Sequence, residues 1–387
     1  MPGKTSNERR TLDALSGLLT GRFEGAGFDF ISPDILQPAD VFLDRSGEDI
    51  RSRTFVFTDP EGREQCLRPD LTVPACRFHL SHAADPLAEA QYCYAGPAFR
   101  YQPGEHPQEF HQTGMEWFGA RDAEAAEAQI LATTLAALKA AGLKDYTVRI
   151  GDLGLFHALL SSLDMPERWR RRLQHHFWRP RAFRALLQIL TGAAKRPRTS
   201  ISGLVDELEN GDAALALERV TSELDARQLE LVGGRTMDEI AVRLAEKAAD
   251  RIETSLGAAD SATIDEYLAI RGTPDAAAAQ VGKLAGTVGG TMTGAAANLN
   301  RRLELFEQNG LDTAGFEFAA VFGRSLEYYT GFVFQIEVTG REGGALTIAG
   351  GGRYDNMLSD IGAGDKVPAV GCAIYTERLL GALGGQA

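Results

Sequence analysis

Two stretches, Gly323-Arg-Ser-Leu-Glu-Tyr-Tyr-Thr-Gly331 and Ala349-Gly-Gly-Gly-Arg-Tyr-Asp-Asn356, insert charged residues and glycines into otherwise strand-like sequence. Burying a charge is costly unless the charge is paired, so these residues need either an internal partner or a ligand. The glycine run at 350–352 allows the backbone to approach a ligand or another strand closely. Taken alone, glycines and an arginine–aspartate pair suit a purely structural role equally well.

Polar residues of the same kind occur in segments nearer the N-terminus. These segments are Leu67-Arg-Pro-Asp-Leu-Thr72, Phe99-Arg100 and Glu109-Phe-His-Gln-Thr-Gly-Met-Glu116. Gln112 and Glu116 lie four residues apart on a predicted strand, so we expect their side chains to share one face. Asp70 and Thr72 are expected to share a face in the same way.

The chemistry of these side chains predicts a polar pocket. Their carboxylates suit an ammonium or imidazolium group of a ligand, and their amide and hydroxyl donors suit a ligand carboxylate. Tyr328, Tyr329 and Tyr354 would add apolar walls with hydroxyl tips. The residue types therefore favour a small ligand that carries both charges.

The pattern along the chain predicts two blocks of strands separated by a helical segment. Helices are predicted over 7–24, 123–142 and 376–383, and strands over 28–31, 54–58, 65–67, 91–100, 109–119, 146–150, 316–322, 332–338 and 346–348. Antiparallel strands with helices on one side are typical of an α+β domain. We expect this domain to comprise residues 1–152 and 308–387, with a mainly helical insertion over 153–307.

The composition is that of a globular protein with an acidic surface. Forty basic and 53 acidic residues give a net charge of −13, and such a field repels polyanions. The arginine-rich stretch 168–184 is either a solvated helix face or a contact surface for a partner or a phosphate. No run of about 18 apolar residues and no secretory signal is found, so a cytoplasmic location without membrane contact is expected.

The cysteines give no indication of disulfides or of a metal site. Cys66, Cys76, Cys93 and Cys372 form no Cys-x-x-Cys pair, and their neighbours are strand-like or apolar. We expect buried, reduced thiols. A zinc site would need clustered cysteine and histidine residues, so neither a metal nor a cofactor is predicted.

The order and spacing of five segments resemble the class II aminoacyl-tRNA synthetases, and the histidyl-tRNA synthetase family in particular. Residues 323–331 resemble that family's Arg-Gly-Leu-Asp-Tyr-Tyr-Thr-Gly motif, and residues 349–355 resemble its Ala-Gly-Gly-Arg-Tyr-Asp motif. Residues 94–119 resemble class II motif 2, residues 368–380 resemble motif 3, and residues 31–43 weakly resemble motif 1. The resemblance covers about 7–150 and 315–385 and implies an antiparallel sheet flanked by helices.

The resemblance also implies a histidine pocket, because the matching positions build that pocket in the synthetase. The residues carried over are Asp70, Thr72, Arg100, Gln112, Glu116, Arg324, Tyr328, Tyr329 and Tyr354. Asp70, which replaces the family's usual glutamate, and Thr72 would hold the α-ammonium group. Gln112 would hold the α-carboxylate region, and Glu116 and Tyr354 would face the imidazole. Arg324 matches a synthetase residue tied to the activation chemistry.

Three departures distinguish this sequence from the synthetase. It stops about nine residues after Arg378, where the synthetase continues into an anticodon-binding domain of roughly 90–100 residues. The segment 102–108 contains no arginine or lysine to contact ATP or the tRNA acceptor end, and Gln102 stands in place of a glutamate. Arg324-Ser-Leu-Glu327 and the weak motif 1 also depart from the pattern. Arg100, Arg324 and Arg378 are retained, so nucleotide binding stays open.

A synthetase core with a histidine pocket and no anticodon-binding domain resembles the regulatory subunits of ATP phosphoribosyltransferase, a glycosyltransferase that opens histidine biosynthesis. That family implies a non-catalytic chain that self-associates as a dimer within a hetero-octamer. Its implied partners are a short-form catalytic subunit and L-histidine as the feedback effector, without tRNA. Two alternatives stay open: a truncated synthetase-like enzyme that activates histidine with ATP, and a stand-alone sensor or RNA-associated paralogue.

Overall fold

The computed structural model describes residues 3–43, 48–103, 107–195, 205, 208, 212–227, 236–253, 255–323, 328–340 and 343–384. The chain divides into two compact units, of which the first comprises residues 1–163 and 264–387 and the second comprises residues 164–263. The second unit is narrower than the predicted insertion 153–307, because the helical segments on either side of it belong to the first unit.

The described strands all lie in the first unit. They are β1 (Asp29–Phe30), β2 (Leu36–Pro38), β3 (Val56–Thr58), β4 (Glu64–Leu67), β5 (Ala90–Phe99), β6 (Glu109–Phe118), β7 (Thr147–Asp152), β8 (Arg271–Gly272), β9 (Phe316–Ala319), β10 (Phe332–Thr339), β11 (Ala345–Arg353) and β12 (Ala369–Tyr375). Nine of them form one sheet in the order β1-β5-β6-β12-β11-β10-β7-β9-β8, and β2-β4-β3 form a smaller sheet. Neighbours run antiparallel except for the parallel pairs β1–β5 and β7–β9.

The helices account for most of the remaining described residues. They are α1 (Ser6–Glu24), α2 (Asp40–Leu43), α3 (Glu48–Arg53), α4 (Thr72–His82), α5 (Ala123–Ala140), α6 (Leu153–Ser162), α7 (Glu167–His176), α8 (Pro180–Leu190), α9 (Ala213–Arg227), α10 (Met237–Ile252), α11 (Ala258–Ala269), α12 (Pro274–Val288), α13 (Thr291–Gln308) and α14 (Thr376–Leu383). None of the helices described is long and apolar enough to cross a lipid bilayer.

The large sheet has one apolar face and one polar face. The strand register places Phe334, Gly351, Cys372 and Met115 in one row, and the three side chains of this row are buried. Helices α1, α5 and α14 pack against β5, β12 and β6. Each buried phenylalanine on this face contributes roughly 1.5–3 kcal/mol. Residues one position away along each strand, including Glu116, point to the opposite face.

The regular elements agree with the strongest sequence patterns. The helix predicted over 7–24 is confirmed as α1, where Thr5 and Glu8 form a capping box that satisfies two free N–H groups. The hairpin predicted over 91–119 is confirmed as β5 and β6, paired over their full length. The last helix, predicted over 376–383, is confirmed as α14. The α+β class with a helix-flanked sheet is confirmed as well.

One local prediction is wrong. Asp70 and Thr72 do not share the face of a strand, because Thr72 is the first residue of α4. The sequence did not indicate this helix, because the β-branched residues Thr72 and Val73 and the following Pro74 favour extended structure. Pro74 is tolerated because it lies in the first turn, where its missing N–H group would have no helical acceptor. Asp70 Oδ1 instead accepts a hydrogen bond from the Val73 N–H group at 3.3 Å.

The arginine-rich stretch 168–184 is explained largely by packing inside the second unit. Arg168 contacts Asp250 at 2.8 Å, Arg172 contacts the same carboxylate at 2.5 Å, and Arg171 contacts Glu246 at 2.5 Å. These contacts join α7 to α10. The arginines in α7 therefore serve a helix–helix interface rather than a free basic surface.

A buried ion network supports the sheet from its helical side. Arg302 on α13 donates to Glu127 on α5 at 2.5 Å and to Asp152 at the end of β7 at 2.8 Å. All three residues are buried. Burial disfavours the charge on Arg302, but Glu127 and Asp152 outweigh this effect and raise the pKa of the guanidinium group. The network extends to Arg353 at the end of β11, 3.4 Å from Glu127.

We expect the substitution Arg302→Ala to lower the free energy of unfolding by about 3–5 kcal/mol, because it leaves two buried carboxylates without a cation. The adjacent Arg301 provides a matched control, since it pairs with Asp122 on the exposed surface. Arg301→Ala should leave stability nearly unchanged. Urea unfolding of both variants measures the difference, and equal losses would contradict the role assigned to Arg302.

Candidate functional site

A small cavity opens on the polar face of the large sheet. Strands β6 and β12, the start of α4 and the ends of β5 and β11 contribute its walls. The lining residues are Asp70, Thr72, Arg100, Gln112, Glu116, Tyr328, Tyr329, Gly350, Tyr354, Gly371, Cys372, Ala373 and Tyr375.

Eight of the nine residues predicted for the histidine pocket line this one cavity. They are Asp70, Thr72, Arg100, Gln112, Glu116, Tyr328, Tyr329 and Tyr354. The ninth, Arg324, lies outside the described residues. Residues separated by more than 280 positions in the sequence are thus brought together by the strand order β5-β6-β12-β11. Their individual contacts with histidine stay predictions.

Glu116 is the charged centre of the cavity. Its side chain is almost completely buried, and its two oxygens accept hydrogen bonds from the hydroxyls of Tyr94, at 2.8 Å, and Tyr354. Burial raises the pKa of Glu116 to about 7, although the tyrosine hydroxyls and Thr72 act in the opposite direction. A carboxyl group of this kind is half ionised near neutral pH, and it can accept a hydrogen bond from an imidazole N–H group.

Asp70 and Gln112 each present a buried oxygen to the site without an internal hydrogen-bond partner. The atoms are Asp70 Oδ2 and Gln112 Oε1, and neither has a partner among the described residues. Burial raises the pKa of Asp70, and the nearby Arg100 guanidinium partly offsets this effect. Buried polar atoms are nearly always paired in folded proteins. Donors from a ligand, such as an ammonium group, would complete both.

The backbone of β12 leaves the space that Glu116 needs. Gly371 lies directly opposite Glu116 in the strand register. A Cβ atom added at Gly371 would lie 1.5 Å from Glu116 Oε2. Any other residue would therefore displace the carboxyl group, and the glycine is required by the position of the charge.

Several lining residues were missing from the predicted site. Gly371, Ala373 and Tyr375 alternate along β12, so all three point to the cavity face. This alternation was visible in the sequence, but nothing in the sequence indicated that β12 would pair with β6. Tyr94 was also missed, because it contacts Glu116 from outside the cavity lining.

The arginine and aspartate beside Tyr354 serve the other face of the sheet. Arg353 Nε donates to Asp355 at 2.8 Å, and Asp355 accepts from the Ala369 N–H group at 3.1 Å. Tyr354 lies in the cavity, whereas Arg353 and Asp355 line a second cleft beside α13. The charges in this motif are therefore structural, and the tyrosine between them is positioned by them.

Two of the three arginines retained from the synthetase pattern, Arg100 and Arg378, have partners within the chain. Arg100 Nε donates to the Pro69 carbonyl oxygen at 2.7 Å, and its guanidinium group lies 5.2 Å from the centre of the Phe110 ring. Arg378 Nη1 donates to the Thr347 carbonyl oxygen at 3.0 Å. Among the described residues, no cluster of three or more side chains is arranged to hold a metal ion.

We expect Glu116→Gln to stabilise the protein at pH 8 but not at pH 5. The pKa of Glu116 is raised from 4.5 to about 7 on folding, so the stability that its protonated form contributes is lost as the pH rises through 7. A neutral amide avoids this loss, which is worth up to about 3 kcal/mol. Urea unfolding at the two pH values measures it, and a pH-independent difference would contradict the titration.

Known proteins resemble this chain over nearly its whole length. The family model of histidyl-tRNA synthetase matches residues 5–240 and 234–379. A Brucella anthropi protein named ATP phosphoribosyltransferase regulatory subunit is 35% identical over 356 residues, which cover 91% of this chain and 92% of the relative. A Mesorhizobium japonicum protein of the same name is 35% identical over 370 residues, 95% of this chain and 96% of the relative.

Solved structures show the same fold. A Bacillus halodurans protein described as an ATP phosphoribosyltransferase regulatory subunit/histidyl-tRNA synthetase superposes with a TM-score of 0.68 and 22% identity, covering 99% of this chain and 82% of that one. Histidyl-tRNA synthetase from Nostoc superposes with a TM-score of 0.64 and 17% identity, covering 100% of this chain and 77% of that one. Because of this similarity to its relatives, we conclude that the chain belongs to the ATP phosphoribosyltransferase regulatory subunits, which carry the histidyl-tRNA synthetase fold.

Proposed function

We propose that this chain is the non-catalytic regulatory subunit of an ATP phosphoribosyltransferase complex, in the first step of histidine biosynthesis. It would activate a short-form catalytic subunit, and it would carry the histidine site through which that enzyme, a glycosyltransferase, is inhibited. The curated relatives named for this role support the proposal. One observation supports the histidine site above the others. Glu116 is buried beside a cavity lined by Asp70 and Arg100, and its hydrogen-bond partners are the uncharged hydroxyls of two tyrosines.

The cavity suits L-histidine because its polar groups match each part of that molecule. Asp70 offers a free carboxylate oxygen to the α-ammonium group, and Arg100 lies near enough to Asp70 to affect its pKa. Gln112 and Arg100 would serve the α-carboxylate, and Glu116 would accept from the imidazole. An amino acid with an apolar side chain would offer no hydrogen-bond donor to Glu116, and sites built to hydrogen-bond a ligand reject such analogues strongly.

Inhibition would follow from a preference of histidine for one state of the complex. A ligand shifts an equilibrium only by as much as its affinity differs between the two states, and the coupling is reciprocal. If histidine weakens binding of the catalytic subunit in its active state by a given factor, that subunit in its active state should weaken histidine binding by the same factor.

A reconstituted assay tests the regulatory role. A short-form catalytic chain should form phosphoribosyl-ATP, followed by absorbance, only when this chain is added, and L-histidine should lower the rate. Glu116→Ala should still activate but should need about tenfold more histidine for half-inhibition, because the imidazole loses its partner. The matched control is Glu109→Ala, an exposed glutamate on the same strand, which should behave as wild type.

Two results of this assay would contradict the proposal. Failure of this chain to activate the catalytic subunit would remove the regulatory role, and unchanged inhibition of the Glu116→Ala complex would remove the pocket from it. The alternative activity, activation of histidine by ATP, predicts histidine-dependent exchange of pyrophosphate into ATP. We expect none above background, because the segment 102–108 contains no arginine or lysine to contact ATP.

A dimer is the self-association that the surface of the small sheet supports. Leu36 on β2 and Val56 and Phe57 on β3 are 55%, 40% and 41% exposed. Phe30, at the edge of the large sheet, and Tyr101 are also about half exposed. Exposed apolar patches mark interaction sites, and these residues include part of the segment that resembles motif 1. We propose that this surface, residues 30–36 and 56–57 with Tyr101, joins two copies of the chain.

We expect Leu36→Asp to convert the dimer to a monomer, because a charge would be buried at the contact without a partner. Leu87→Asp is the control, since Leu87 is similarly exposed but lies outside this surface. Sedimentation velocity at micromolar concentration measures the outcome. A Leu36→Asp chain that remains dimeric would place the contact elsewhere.

A further inference from the structure

Tyr94 holds the central carboxyl group of the pocket without touching the cavity. It is fully buried on β5, and its hydroxyl donates to Glu116 Oε1 at 2.8 Å. Tyr354, which lines the cavity, donates to Oε2. One carboxyl oxygen is therefore fixed by a residue available to a ligand, and the other is fixed by a residue that acts only through Glu116.

The sheet is built to accommodate this contact. Gly114 lies opposite Tyr94 in the strand register. A Cβ atom at Gly114 would lie 2.6 Å from the Tyr94 hydroxyl oxygen and 2.5 Å from the Cys372 carbonyl oxygen. Gly371 clears the position of the Glu116 carboxyl in the same way. Glycines on β6 and β12 thus make room for both partners of one hydrogen bond.

Among the described residues, the groups that donate hydrogen bonds to Glu116 and stabilise its charge are hydroxyls. The groups that face it are Tyr94 on β5, Thr72 and Cys76 on α4, Asp70 before α4 and Tyr354 after β11. Among the described residues, no lysine or arginine forms a hydrogen bond to Glu116. Burial raises the pKa of Glu116 to about 7, and the hydroxyls of Tyr354, Tyr94 and Thr72 keep it from rising further. The hydroxyl donors therefore set the ionised fraction at neutral pH.

We propose that Tyr94 is a positioning residue that keeps Glu116 ionised and oriented, so that binding of an imidazole ligand weakens as the pH falls. The proposal rests on the proposed function, in which Glu116 accepts from the imidazole of histidine. A hydrogen bond to the charged form of an acid favours that form. Loss of the Tyr94 hydroxyl would therefore protonate Glu116 at a pH where the wild-type carboxyl is still ionised.

The test is the substitution Tyr94→Phe in the full chain, which keeps the ring and removes only the hydroxyl. Calorimetry with L-histidine from pH 5.5 to 9 gives the ratio of the variant Kd to the wild-type Kd, in which the titration of histidine itself cancels. If the pKa of Glu116 rises by about one unit, the ratio is about fivefold at pH 7 and below about twofold at pH 9.

Tyr92→Phe is the matched control. Tyr92 lies two residues earlier on β5, and its hydroxyl is 3.3 Å from His79 Nδ1 rather than from Glu116. Its Kd ratio should stay near one throughout. A Tyr94→Phe ratio that is constant across the pH range would show a merely structural role and would overturn the proposal.

The Glu116→Gln chain provides a second criterion, because its side chain at this position does not titrate. The affinity of the wild-type chain for histidine, relative to that of Glu116→Gln at the same pH, should fall between pH 8 and pH 6, and a constant ratio over this range would overturn the role of Glu116 ionisation. Complete absence of histidine binding by the wild-type chain would instead overturn the proposed function. The two failures are therefore distinguishable in one titration series.

Discussion

The pocket depends on the placement of one buried carboxyl group among hydroxyl donors. Glu116 has no cation to pair with among the described residues, and Tyr94 and Tyr354 are its hydrogen-bond partners. Hydroxyls cost less to bury than an arginine, and they allow the carboxyl group to change its charge near neutral pH. The strands around it must then provide space rather than countercharge. This requirement explains why glycines occupy the positions at 114 and 371, where a Cβ atom would collide with the tyrosine hydroxyl or the carboxyl oxygen.

On the other face of the sheet, buried charges are stabilised by ion pairs with opposite charges. Arg302 is surrounded by Glu127 and Asp152, and the network reaches Arg353. Breaking such a network costs far more than breaking an exposed pair. Arg353 and Tyr354 are adjacent in the chain, so the rigid network on one face fixes the end of β11, from which Tyr354 reaches the pocket. The ion network on the helical side of the sheet thus helps to fix the position of Tyr354 on the polar side.

Sequence patterns located most of the pocket but could not explain how it is held. The spacing of Gln112 and Glu116 predicted a shared strand face, and the resemblance supplied the remaining lining residues. The start of α4 was missed because Thr72, Val73 and Pro74 have extended preferences that the tertiary structure overrides. Tyr94, Gly371 and Arg302 were missed for a different reason. Their roles arise from pairing between distant strands and helices, and periodicity reports only which face a residue occupies, not what lies opposite.

Some buried groups of this pocket are unfavourable without a ligand, so a ligand that pairs them would lower the free energy. The unpaired oxygens of Asp70 and Gln112 and the raised pKa of Glu116 all disfavour the ligand-free arrangement. A ligand that pairs these groups would remove that cost. Asp355, next to Tyr354, also accepts a hydrogen bond from the first N–H group of β12, so the end of β11 and the start of β12 are tied together beside the pocket. Contact continuity alone does not make a switch. The charge of Glu116 is the feature of the pocket that a proton and a ligand would both change, because hydrogen-bond donors favour the ionised form of a carboxyl group.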